Sequence, residues 1–119
     1  NNILNHKAYS KTSFSCVGSE NLVKELKKNI IICGIETHIC VQQTAIDLKA
    51  RGYNVIIVID STGTRNHIDH KVSITRLINT GIIITTTESI MFELCKTSER
   101  KEFKGVSKIA KETIEDFIY

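Results

Sequence analysis

Three short apolar runs constrain this chain most, because each ends at a turn residue and a helical pattern separates it from the next. The runs are Asn29–Cys33, Tyr53–Ile59 and Gly81–Ile84. Runs rich in Ile and Val are typical of strands covered on both faces. Apolar residues at helical spacing predict helices over Glu20–Lys28, Ile39–Arg51, Ile68–Asn79, Ile90–Leu94 and Val106–Phe117. This alternation indicates an α/β fold, a doubly wound parallel sheet with helices on both faces.

The length of 119 residues allows one domain. Three parallel strands are few for a sheet of this kind, and one edge would stay open. The chain also begins with Asn rather than Met and contains no proline. We therefore expect residues 1–119 to be the C-terminal part of a single domain whose N-terminal strands are missing.

Charge and composition exclude several classes of function. The net charge is +3, and its densest basic group, Lys24, Lys27 and Lys28, has no interleaved aromatic residues, so we do not expect nucleic-acid binding. No apolar stretch reaches about 18 residues, which argues against a membrane span. The four cysteines form no CxxC pair, so we expect neither a zinc site nor a disulfide framework, but reduced thiols in an intracellular, cytoplasmic protein.

Ligands of doubly wound sheets bind at the carboxyl ends of the strands, which directs attention to residues 34–39, 60–67 and 85–89. Cys40 lies close to the first of these segments, at the predicted start of a helix. The unsatisfied N–H groups of a first helical turn favour a thiolate, the nucleophilic form, and can also hold an oxyanion. The alternative is that Cys40 only packs the helix against the sheet.

A nucleophilic thiol needs a base or a charge partner. The sequence offers several candidates and does not choose between them: Lys11, Glu36, His38, Asp60, His67 and His70. His67 and His70 have a spacing that can bind a metal, but two ligands are weak evidence and capping or exposure is the simpler interpretation. Asp60 follows a strand, where an acid often caps a turn. Cys33 and Cys95 are interpreted as structural, and Cys16 as packing.

From Lys11 to about Lys111, the chain resembles the isochorismatase-like hydrolases, also called cysteine hydrolases, and most closely the isochorismatase domain-containing branch. The resemblance is carried by Lys-Thr-Ser-Phe-Ser (11–15), Gly-Ile-Glu-Thr-His-Ile-Cys-Val-Gln-Gln-Thr-Ala (34–45) and Asp-Leu-Lys-Ala-Arg-Gly-Tyr (47–53). It continues through Asp-Ser-Thr-Gly-Thr-Arg (60–65) and residues 85–94. The 34–45 motif is highly specific.

The resemblance implies a Rossmann-like three-layer fold with a six-stranded parallel sheet, of which this chain holds the second half. It implies catalytic roles for Cys40 and Lys11, a cis peptide bond between Ile35 and Glu36, and an oxyanion hole made by the N–H groups of Glu36 and Cys40. The family's catalytic aspartate comes from its first strand, and no residue here matches it. Metal ligands of the nicotinamidase branch also lie in the other half, so no metal or cofactor is assigned.

Isochorismatases that cleave a vinyl ether lack the nucleophilic cysteine, which this chain has. The leading hypothesis is therefore a hydrolase that opens a small amide through a thioester on Cys40. A catalytically inactive member that serves as a binding or scaffold protein is the alternative. A redox-sensing Cys40 with Cys16 as its partner ranks last, and nothing supplies the basic groove a nuclease would need. The resemblance also implies a homo-oligomer, a dimer or a tetramer.

Overall fold

The computed structural model describes residues 6–112, which form a parallel sheet flanked by helices. The sheet has three strands in the order β1-β2-β3, which are β1 (Asn29–Ile35), β2 (Asn54–Gly63) and β3 (Ile83–Thr85). The helices are α1 (Glu20–Val23), α2 (Gln42–Ala50), α3 (His67–Asn79), α4 (Thr87–Cys95) and α5 (Phe103–Glu112). The predicted α/β fold with a parallel sheet is confirmed.

Two shorter elements lie beside the longer ones. A 3₁₀ turn covers Cys16–Gly18, and a π-helical turn covers Thr37–Val41 and continues directly into α2. Each of α2 and α3 is followed within two residues by a glycine with positive φ, Gly52 (87°) and Gly81 (82°). That conformation ends a helix at little steric cost only in glycine, which is why the two predicted helix ends are nearly correct.

Several boundaries differ from the prediction. Strand β2 continues past its apolar run to Gly63, because Thr62 and Gly63 pair with Gly34 and Ile35 beyond a register shift in β1. Helix α1 ends at Val23 rather than Lys28, since the following amides bond three residues back and tighten the chain into a turn. The last helix begins at Phe103, before the predicted Val106, and residues 113–117 of that prediction lie outside the described range.

The main core lies between the sheet and the pair α2 and α3. It is a cluster of seven buried apolar side chains, Val41, Ala45, Leu48, Val55, Ile57, Leu77 and Ile82. Val58 alternates with Ile57 along β2 and is buried on the opposite face, the side that α4 covers with Ile90. Among residues 6–112, no helix is long and apolar enough to cross a membrane.

Candidate active site

Cys40 lies in the π-helical turn that follows β1, at the carboxyl end of the sheet, and its side chain is partly exposed. The turn is held at its start by the carbonyl of Glu36, which accepts hydrogen bonds from the amides of Ile39 (3.1 Å) and Val41 (3.3 Å). The second of these bonds spans five residues and produces the π geometry, a form often found at functional sites. The helix therefore begins earlier than Ile39, and Cys40 lies within its first turn.

Lys11 approaches Cys40 from a separate segment of the chain. Its Nζ lies 3.9 Å from Cys40 Sγ and also donates to the carbonyls of Ser13 and Phe14, both at 2.8 Å. The segment is held to α2 by a hydrogen bond from the Cys16 amide to Thr44 Oγ1 (2.9 Å). The ammonium is thus fixed on its own loop and directed at the thiol, although 29 residues separate the two in sequence.

The segment between β1 and the π-helical turn has an unusual backbone. The peptide bond between Ile35 and Glu36 is cis. Ile35 is 76% exposed, whereas the next two side chains turn inward, Glu36 to partial burial and Thr37 to complete burial. Thr37 is held by α3, since its Oγ1 hydrogen-bonds with His70 Nδ1 (3.1 Å) and its carbonyl accepts from Ser73 Oγ (3.2 Å).

Glu36 forms an ion pair that the sequence analysis did not find. Its Oε1 accepts from the backbone amide of Arg65 (3.1 Å) and from Arg65 Nε (2.9 Å). The hydrogen bond from the Arg65 side chain holds the pKa of the Glu36 carboxyl below its ordinary value, so the carboxylate is charged at neutral pH. In the sequence, Arg65 stands out only as the last residue of a family motif. The signal for this pair is that Glu36, an acid beside the candidate oxyanion hole, needs a positively charged partner.

The remaining candidate bases lie in other environments. Asp60 Oδ1 accepts from the amide of Thr87 (2.8 Å) and from Thr87 Oγ1 (3.0 Å), so it satisfies the amide of the first residue of α4. His70 contacts Thr37, as described above, and His67 is exposed at the first position of α3. In the described part of the chain, no three His, Cys, Asp or Glu side chains are grouped as metal ligands.

His38 is the least satisfied polar side chain near the thiol. Its Nε2 lies 3.8 Å from Asp69 Oδ2, and its buried Nδ1 has no hydrogen-bond partner among residues 6–112.

The two residues interpreted as structural cysteines differ from each other, since Cys95 is buried whereas Cys33 is exposed on β1. The strand position of Cys33 predicts burial, but Cys33 lies on the same face of β1 as Ile31 and Ile35, and among residues 6–112 this face is exposed.

Comparison with known proteins identifies the family of the chain. Residues 3–89 match the model of the isochorismatase domain. The chain is 42% identical over 107 residues to isochorismatase domain-containing protein 1 of Salmo salar, covering 87% of this chain and 38% of that protein. It is 36% identical over 118 residues to isochorismatase family protein 1B of Dictyostelium discoideum, covering 94% of this chain and 57% of that protein.

A solved structure gives the same result at the level of the fold. The structure titled MAR1 ribonuclease from Caenorhabditis elegans superimposes with a TM-score of 0.78 at 36% identity, covering 89% of this chain and 56% of that one. The chain thus spans between 38% and 57% of the lengths of these relatives. Because the family model matches most of its residues and the fold agrees, the chain belongs to the isochorismatase family.

Proposed function

We propose that this chain carries the nucleophile of a thiol hydrolase that acts on a small amide. The observation that supports the proposal most is the 3.9 Å separation between Lys11 Nζ and Cys40 Sγ at the carboxyl end of the sheet. A neighbouring ammonium and the first turn of a helix both stabilise a thiolate. Cys40 is also partly exposed, so a small molecule can reach it.

The proposed reaction has two stages. The Cys40 thiolate attacks the amide carbon, a C–S bond forms, and the carbonyl electron pair moves to oxygen, where the N–H groups of Glu36 and Cys40 stabilise the negative charge. The carbonyl then re-forms as the C–N bond breaks, and the nitrogen takes the proton that the Cys40 thiol gave up on becoming a thiolate, so that a thioester remains. Water adds to the thioester, the C–S bond breaks, and a carboxylic acid is released.

The resemblance assigns the proton transfers in this scheme to an aspartate that no residue of this chain matches. Lys11 supplies a positive charge beside the sulfur throughout both stages. We propose an amide rather than a vinyl ether as the substrate, because the vinyl-ether hydrolases of the family lack the nucleophilic cysteine that this chain has. A small substrate is consistent with a site formed by loop residues at the strand ends.

The test uses the full-length protein expressed from its gene. Release of ammonia or amine from a panel of small amides is measured for the parent protein, Cys40→Ala and Cys33→Ala. We expect Cys40→Ala to reduce turnover by at least about 1,000-fold, since the nucleophile is lost. Cys33→Ala, which removes an exposed thiol from β1, is expected to be fully active. Intact mass should show an acyl adduct on the parent protein and not on Cys40→Ala.

Two results would contradict the proposal. Undiminished amide turnover in Cys40→Ala would exclude Cys40 as the nucleophile. A parent protein that forms no acyl adduct and hydrolyses no amide would favour a non-catalytic binding role. RNA is tested as a separate substrate, because the Caenorhabditis elegans relative is titled a ribonuclease. Cleavage of RNA by both the parent protein and Cys40→Ala would indicate a different reaction at a different site.

A further inference from the structure

Arg65 contacts Glu36 through two groups of the same residue. Its backbone amide and its Nε both donate to Oε1, at 3.1 Å and 2.9 Å. The Glu36 side chain is only 19% exposed, whereas that of Arg65 is 79% exposed. An exposed arginine from the segment between β2 and α3 therefore covers and fixes a carboxylate that follows β1.

Glu36 is held at a second point by the π-helical turn. Its carbonyl accepts from the amides of Ile39 and Val41. The segment between β2 and α3 thus fixes the side chain of Glu36, and the π-helical turn fixes its carbonyl. Glu36 therefore has little freedom to rotate. The N–H of Glu36 belongs to the cis peptide bond that joins it to Ile35. The contacts of the side chain and of the carbonyl together hold the Cα of Glu36, and with it the nitrogen that carries this N–H.

A surface ion pair by itself contributes little to stability, because solvent screens it and two side chains must be ordered. The pair here differs in that the backbone amide of Arg65 also donates. This bond ties the two segments together at the carboxyl end of the sheet, where β1 and β2 already pair through Ile35 and Gly63. The arrangement fits a role in fixing local geometry better than a role in overall stability.

We infer that Arg65 is a positioning residue, which acts through the Glu36 side chain to hold the Glu36 N–H where it stabilises the oxyanion. The inference rests on the proposed function, because it assumes that an oxyanion forms next to Cys40. Arg65 does not need to touch the substrate in this role. Its loss should therefore slow attack on a carbonyl and leave unaffected a reaction of the same thiol that produces no oxyanion.

Two probes separate these reactions on the full-length protein. p-Nitrophenyl acetate acylates a thiolate through a tetrahedral oxyanion, with departure of p-nitrophenolate, whereas iodoacetamide alkylates it by displacement of iodide. Both rates are followed at Cys40 by mass spectrometry of its peptide, for Arg65→Ala, Arg65→Lys and Arg76→Ala. Arg76 is an exposed arginine in α3 and controls for the lost charge.

We expect Arg65→Ala to slow acylation by about 10-fold, less than the complete loss of an oxyanion donor would, with alkylation unchanged. Arg65→Lys keeps the charge and the backbone amide but lacks the planar Nε donor, so its acylation should also be slower than that of the parent protein. Arg76→Ala should match the parent protein in both reactions. The double variant Glu36→Ala/Arg65→Ala should be no slower than Glu36→Ala alone, since Arg65 acts through Glu36.

Four outcomes would overturn the inference. Unchanged acylation in both Arg65 variants would show that Glu36 is positioned without Arg65. An equal loss in acylation and alkylation would indicate a general structural defect around Cys40. Independent losses in the double variant would show that Arg65 acts directly on the probe. If the parent protein is alkylated but never acylated, the proposed function fails first and the inference fails with it.

Discussion

Glu36 carries a carboxylate whose charge is coupled to the folded structure. The side-chain hydrogen bond from Arg65 contributes most to lowering its pKa from the ordinary value of 4.5. Because the folded-state pKa is depressed, the ion pair stabilises the fold fully above pH 4.5 and loses this contribution as the pH falls through the folded-state pKa. Glu36→Gln keeps the shape of the side chain and removes its charge, so it isolates the charge effect.

We expect Glu36→Gln to unfold at a slightly lower temperature than the parent protein near neutral pH, and the difference to shrink as the pH falls below 4.5, the ordinary pKa of a glutamate. Thermal unfolding at a series of pH values measures this difference directly. Glu102→Gln, which removes a carboxylate from an exposed position before α5, is the matched control. A difference that stays constant across the series would show that the charge of Glu36 does not contribute to stability.

The residues of the candidate site illustrate how much the sequence predicts at this scale. The position of Cys40 after an apolar run predicts a nucleophile, and the resemblance to the family implies Lys11. Neither the contact between Lys11 and Cys40 nor that between Arg65 and Glu36 follows from local pattern, because 29 residues separate the members of each pair. Such contacts arise only when the fold brings separate loops together at the carboxyl end of the sheet.

At the scale of elements, the cores of the strands were predictable and their ends were not. Ile and Val runs locate β1 and β2, but the burial that they predict holds only for β2, since the side chains of β1 alternate between exposed and half-buried. The last residues of β2, from Asp60 to Gly63, are polar or small and read as a loop. They are in the strand because Gly34 and Ile35 offer them pairing partners, which is a tertiary effect that periodicity does not contain.

Thr37 joins two elements, the π-helical turn and α3. It is fully buried, its Oγ1 hydrogen-bonds with His70 Nδ1, and its carbonyl accepts from Ser73. Thr37→Val keeps the volume but leaves the His70 nitrogen without its partner. We expect a loss of about 1–3 kcal/mol in the free energy of unfolding, measured by urea denaturation.

Thr75→Val is the control for this change, because Thr75 is exposed on α3 and its Oγ1 donates to the carbonyl of Lys71 in the same helix. Its effect should lie within about 0.5 kcal/mol. A Thr37→Val protein as stable as the control would indicate that the turn is held to α3 by packing alone. In that case Ser73, the other buried residue at the contact, would be the next position to change.

At the scale of the whole molecule, the side chains of β1 are much more exposed than those of β2, around which the core is built. Ile31 and Ile35 on β1 are 43% and 76% exposed, and an apolar cavity of about 220 Å³ lies beside this strand, lined in part by Val17, Leu22 and Leu26. The chain spans roughly half the length of its relatives. The expected assembly of two or four copies stays a prediction, which the molar mass of the full-length protein in solution would test.

The small size of the core makes each of its residues important. Leu77 on α3 is fully buried in the cluster of seven, whereas its neighbour Ile78 is 55% exposed. Leu77→Ala removes the same kind of apolar mass as Ile78→Ala but leaves a cavity between α3 and the sheet. We expect Leu77→Ala to lower the free energy of unfolding by about 2–5 kcal/mol, a large fraction of the stability of a typical domain. Ile78→Ala should have a much smaller effect, and urea denaturation of both variants measures the difference. Equal losses of unfolding free energy in the two variants would mean that Ile78 is covered in the full-length protein. The cluster of seven buried side chains would then be only part of a larger core.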